Sequence, residues 1–217
     1  MHHTSYILYK VMSVTLIIIV VTVIVSVAAW NNYSLMERWI MNPYQIAKRG
    51  QYYRLIMSGF LHADWGHLFF NMLSLYFFGG FIEQVFGMLF GSSGPIYMIG
   101  FYLVAILVSD IPSFLKHRTD SGYNSLGASG GVAAIVFAGI LFRPLTEICL
   151  YFALCIPGFI FGALYLAYSY YESRRGLGRV NHDAHFYGAL FGVLFMIIAY
   201  PPALPSFFEQ IASWRLF

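Results

Sequence analysis

Residues 11–30 contain no charged side chain, and nothing else in the chain restricts its fold so strongly. About 20 mainly apolar residues wound as a helix reach across a hydrocarbon core of roughly 30 Å. Within lipid every backbone N–H and C=O must find a partner in its own segment, so such a run has to be helical. Only Lys10 supplies a charge just before it, and the run is too long for the core of a cleaved leader, so it reads as a true first span. Comparable stretches follow at 66–86, 96–115, 128–142, 148–170 and 185–200. The fourth is short and rich in Gly and Ala, and Pro201-Pro202 stops the sixth. The expectation is an all-α membrane protein, a six-helix transmembrane bundle forming one domain over residues 1–217, with the lipid bilayer as its solvent.

Composition agrees with this reading. The chain is 59% hydrophobic and 10% charged, whereas about a quarter of a soluble domain's residues are charged. The net charge of +3 is dispersed, with no basic run longer than Arg174-Arg175, so a nucleic-acid partner is not expected. Cys149 and Cys155 fall within the expected fifth span without CxxC or zinc spacing, and read there as small packing residues rather than a disulfide. Between spans 1 and 2, residues 31–65 are too long and mixed for a tether. They include Met36-Glu37-Arg38-Trp39-Ile40-Met41, amphipathic material suited to lying at a membrane surface.

Polar groups at membrane depth are costly and mark functional candidates. Three clusters stand out. His67 and Asn71, four residues apart at the entrance to span 2, share a helical face and can both donate hydrogen bonds to an oxyanion. They could equally serve as interhelical glue. Gly127-Ala128-Ser129-Gly130-Gly131 opens span 4, so Ser129 sits at a helix N-terminus where free N–H groups favour developing negative charge. The small residues there also suit tight helix packing. His182-Asp183-Ala184-His185 opens span 6, with Gly188 and Gly192 on the face of His185, able to bring that span against span 4. His182 falls off this stripe and is expected in the loop. Counting spans puts all three clusters at one end of the bundle, where a serine, a base and oxyanion donors together suit nucleophilic catalysis.

These residues resemble the rhomboid family of intramembrane proteases, over about residues 50–192. Tyr53-Arg54, the His67-x-x-x-Asn71 pair, Glu83 within Gly79-Gly80-Phe81-Ile82-Glu83, Gly127-x-Ser129-Gly130, and His185 with Gly188 and Gly192 occur in the family's order. The resemblance implies a Ser129–His185 dyad without a third carboxylate, an oxyanion site of His67, Asn71 and the Ser129 N–H, and Arg54 and Glu83 bracing loop 1. It implies single-pass membrane proteins as substrates and neither cofactor nor metal. Such a minimal core suggests a prokaryotic inner membrane.

The chain departs from the family pattern in two ways. Many members carry an aromatic residue four positions after the serine, stacked on the histidine; here it is Ala133, with Phe137 one turn further as a partial substitute. Orientation is the second. The resemblance puts the loops after spans 1, 3 and 5 outside the cytoplasm, and that orientation is the one expected. Those loops nevertheless hold Arg38, Lys48, Arg49, Arg54, Lys116, Arg118, Arg174, Arg175 and Arg179, against Lys10, Arg143 and Arg215 opposite. Nine cations against three favour the reverse under the positive-inside rule.

Rival chemistries fit less well. A zinc protease would need His-Glu-x-x-His, which is absent, and an aspartyl protease a second intramembrane aspartate beside Asp110. A transporter would show pseudo-symmetric halves. Asp183, two residues before His185, points away from the imidazole if helical. The alternative from another class is a non-catalytic rhomboid-like protein that binds transmembrane helices.

Overall fold

The computed structural model describes residues 13–150, 153–175 and 180–215; the first two residues of the expected first span, and Lys10 and Arg179 from the charge tally, lie outside them. Helix α1, Val14–Trp30, opens at Ser13, whose hydroxyl accepts from the Leu16 N–H. Its second cap comes from far along the chain. Glu83 accepts from the Ser13 and Thr15 hydroxyls and from the Val14 and Thr15 N–H groups at 2.7–3.0 Å, a carboxylate at the positive end of the helix. Glu83 therefore fastens the start of α1; the expected brace on loop 1 is not what it does. The other face of α1 leaves Leu16, Ile17, Val20, Val21 and Ile24 exposed, as a lipid-facing surface requires.

The segment after α1 holds three short helices, α2 (Tyr33–Trp39), α3 (Pro43–Arg49) and α4 (Arg54–Met57). Asn32 and Asn42 cap the first two, Pro43 fills the first position of α3, and Gly50 ends it at φ +68°. Arg54 is the brace here. Its guanidinium donates to the Glu37 and Ile40 carbonyls at 2.7 and 2.8 Å and to Gln51 Oε1 at 2.7 Å.

Helices α5 (Trp65–Phe90) and α6 (Gly94–His117) form a tight antiparallel pair. The turn is close because a Cβ at Gly94 would lie 2.9 Å from the Gly87 backbone, and Phe90 stacks on Tyr97 at 3.8 Å. Helix α7, Ser129–Phe142, is the central post: eleven of its 14 residues are buried, the signature of a helix apolar on all sides. Helix α9, His182–Ala199, lies along it, and α10, Ala203–Ser213, which the sequence reading did not foresee, follows the Pro201-Pro202 stop.

The expected fifth span is corrected. Residues 148–150 and 154–157 are not helix but belong to an antiparallel hairpin, β1 (Glu147–Leu150) with β2 (Leu154–Pro157), and the helix, α8, covers Gly158–Arg175. Cys149 and Cys155 are cross-strand partners joined by a disulfide, not packing residues inside a span. A short apolar run looks alike as strand or helix, and periodicity cannot separate them. By length and composition alone, the helical run Trp65–His117, doubled back as α5 and α6, and α9 can cross a membrane. Helix α1 joins them when taken with α2, across a 120° bend. The fold is that of a mainly α-helical membrane protein.

Candidate active site

The N-terminal end of α7 meets the N-terminal end of α9 backbone to backbone. A Cβ at Gly188 would collide with the Gly130 carbonyl, and one at Gly192 with the Ala134 carbonyl. Gly130 is enclosed on its other side too, where a Cβ would strike Ser109 of α6. Only glycines permit this approach. The seam fixes Ser129, at the first turn of α7, and His185, in the first turn of α9, on one half-buried cavity of about 620 Å³.

His67 and Asn71 line the same cavity from α5. Asp64 caps that helix through the His67 N–H at 2.8 Å, and Asn71, buried, gives one amide N–H to the His67 carbonyl at 3.0 Å. The His67 ring rests on Gly127: a Cβ there would lie 2.7 Å from Cε1 and 2.8 Å from Nε2. Gly127 also takes φ +126°, a conformation that bars other residues. Behind His67, edge-on at 4.9 Å, stands the fully buried His62. Burial, and then the neighbouring His67, pushes His62 down to about 3, so it stays neutral, with Nδ1 3.0 Å from Ser26 Oγ and its carbonyl held by the Trp30 indole at 2.7 Å.

Several contributors were not foreseen. Tyr165 of α8 lies over the imidazole of His185, centroids 6.0 Å apart and planes 22° apart. Phe137 does not reach His185 in its place; it packs on Tyr165 at 5.5 Å. The small Ala133 leaves the room, and an aromatic from another helix fills it. No local spacing could have found a partner in a different helix. Asn181 is the second. Its Oδ1 accepts from the Ala184 N–H (3.1 Å) and the Ser113 hydroxyl (2.8 Å), while Nδ2 donates to Ser125 Oγ (3.1 Å). One amide thus ties α9 to α6 and to the loop before Ser129. An Asn ahead of a helical run is a cap signal, which would have found it. That loop is in turn bridged to the first by reciprocal Met41–Ser125 backbone bonds at 2.9 and 3.0 Å. Buried Asp110, 3.4 Å from Ser58 Oγ, also lines the cavity.

Two further expectations are settled by position. His182 is not in the loop but is the first residue of α9, its ring edge-on to His185 at 5.7 Å. Asp183 turns away from His185 and pairs with Lys116 at 3.3 Å. Among the described residues no group of three acidic, histidine or cysteine side chains is arranged to hold a metal.

A family model for the rhomboid domain matches residues 49–202, so the chain belongs to the rhomboid family. It is 28% identical to RHOMBOID-like protein 12, mitochondrial, of Arabidopsis thaliana, over 70% of this chain and 49% of that one. It is 27% identical to Rhomboid-like protein 11, chloroplastic, of the same plant, over 66% and 51%. The chain thus spans about half the length of the relatives it matches. Their names place them in organelles and lend no support to the prokaryotic inner membrane expected above.

Proposed function

We propose that the chain is a serine-type intramembrane endopeptidase, with six membrane-crossing helices, that cuts the transmembrane segments of single-pass proteins. The observation that carries this reading is the glycine seam, which holds Ser129 and His185 on one cavity at the abutting ends of two helices. His185 takes the proton of Ser129 Oγ as the oxygen attacks a peptide carbonyl, then returns it to the departing amine. The tetrahedral oxyanion is received by the Ser129 N–H, one of the unpaired donors at the start of α7, with His67 and the free amide hydrogen of Asn71. Water hydrolyses the acyl-enzyme by the same proton relay. Tyr165 keeps the imidazole plane from turning. Helices α5 and α8 wall the cavity through Phe70 and Ser74 on one side and Phe161 and Tyr165 on the other, and an unwound substrate segment enters between them. The chemistry needs no metal or cofactor.

A non-catalytic helix-binding protein could use the same cavity but has no need of an activated serine. Fluorophosphonate labelling of detergent-purified protein separates the two. Wild type should label, and Ser129→Ala and His185→Ala should not, with the fold unchanged. A folded wild type that stays unlabelled would favour the helix-binding reading, and labelling that survives Ser129→Ala would sink the assignment.

A further inference from the structure

We infer that the end of the bundle holding Ser129 and His185 faces the thiol-reducing compartment from which the chain is inserted, and that the β-hairpin faces an oxidising one. Two physically unrelated observations agree. The first is electrostatic. The cationic C-terminal ends of α6 (Lys116) and α8 (Arg174, Arg175) converge on the start of α9: Lys116 Nζ lies 3.3 Å from Asp183 Oδ2 and 3.2 Å from the Ser173 carbonyl. With the loop after α1, that end gathers eight of the described Lys and Arg, and the opposite end has two, Arg143 and Arg215. Lysine and arginine are retained on the side of insertion.

The second observation is redox chemistry. The Cys149–Cys155 disulfide joins exposed residues at the other end of α7. The hairpin follows the C-terminus of α7, and α8 starts beside it, the Gly158 and Phe159 N–H groups bonding to the Thr146 and Pro144 carbonyls. The 14 residues of α7 hold it about 21 Å from Ser129. Disulfides persist in oxidising compartments and are reduced in the cytosol and its equivalents. The cation asymmetry is encoded in the sequence and acts during insertion, whereas the disulfide forms after it, so neither follows from the other. This reverses the arrangement that the family resemblance led us to expect.

If the endopeptidase reading holds, on which this consequence rests, the bond cut lies in the half of a substrate helix nearest the insertion side, and that fragment is released there.

Impermeant maleimide labelling of the full chain in spheroplasts of a bacterial host tests the orientation without requiring activity. Cys155→Ser leaves Cys149 as a single thiol at the hairpin, and Thr119→Cys with Cys149→Ser and Cys155→Ser puts one beside the cationic end. We expect Cys149 to label in intact spheroplasts and Thr119→Cys only after permeabilisation, at least tenfold apart. The opposite pattern, or equal labelling of both, overturns the inference. In wild type, thiols trapped by acid before lysis should be oxidised; a reduced pair overturns the redox argument and with it the assignment of compartments. Fluorophosphonate labelling of the same samples reports separately whether the serine is activated, so failure of either reading leaves the other visible.

Discussion

Helices α9 and α8 both lie against α7, and they hold it in different ways. Helix α9 meets it through main chain, with Gly188 and Gly192 set against the Gly130 and Ala134 carbonyls and Ala184, Ala189 and Met196 buried alongside. Helix α8 buries only Gly158, Gly162 and Ser169, and reaches the site through side chains, chiefly Tyr165 and Phe161. A seam of backbone has almost no adjustable parts, because packed cores switch between discrete arrangements rather than deform. A contact made by aromatic rings can slide. Ser129 and His185 are therefore fixed to each other, while Tyr165, whose ring lies over His185, sits on a helix with far less holding it. Under the proposed endopeptidase reading, what has to be invariant lies on the first contact, and what must make way for a substrate lies on the second.

The largest expected effect comes from forcing the seam apart. Gly192→Val sets a branched side chain into the Ala134 carbonyl and should cost more than about 3 kcal/mol, the upper part of the overpacking range. Loss of the thermal unfolding transition in detergent would register it; a normal transition would mean that the seam is not close-packed. Asn71→Ala stands next. It should lower turnover of a transmembrane substrate by about 10- to 1000-fold, the range for losing an oxyanion donor, with little change in melting. An unaltered rate would make Asn71 a packing residue.

On the looser side, Tyr165→Ala should reduce kcat by roughly tenfold, since an aromatic contact contributes about 0.5–1.5 kcal/mol. Tyr165→Phe should recover it, and Ala133→Phe added to Tyr165→Ala should restore part by supplying a ring from α7. If Tyr165→Phe were as impaired as Tyr165→Ala, the hydroxyl and not the stacked ring would matter. Cys155→Ser should have the smallest effect at the site. It opens a link between residues only six apart, costing at most about 2 kcal/mol. Fluorophosphonate labelling should stay within about twofold of wild type while the hairpin becomes easier to cleave with protease. A large loss of labelling would show that the hairpin governs α8.

What the sequence disclosed follows the same division. Ser129, His185, Gly188 and Gly192 were legible because a glycine stripe at helical spacing and a polar residue at a span end are local signals, read from a few neighbours. The expected spans other than the fifth begin and end within a few residues of their helices for a similar reason, since lipid leaves the backbone no choice but to close its own hydrogen bonds. The strands β1 and β2 escaped because apolarity there has two sources, lipid and a two-stranded ribbon, that look alike over so short a run. Tyr165 escaped because it acts across a gap left by Ala133, a vacancy that has meaning only once two helices lie side by side. Glu83 was singled out correctly but given the wrong partner: the acceptor was visible, and its donors, 68–70 residues earlier, were not.

That last pairing bears on biogenesis. During synthesis α1 leaves the ribosome with the N–H groups of its first turn lacking their carboxylate acceptor, and Glu83 arrives some 70 residues later, in the C-terminal third of α5. Until then the opening turn must stay in the hydrated interface, where water can satisfy it. Helix α1 is thus not fully seated until α5 is made, and its docking there serves as a checkpoint on whether these two helices have assembled in order.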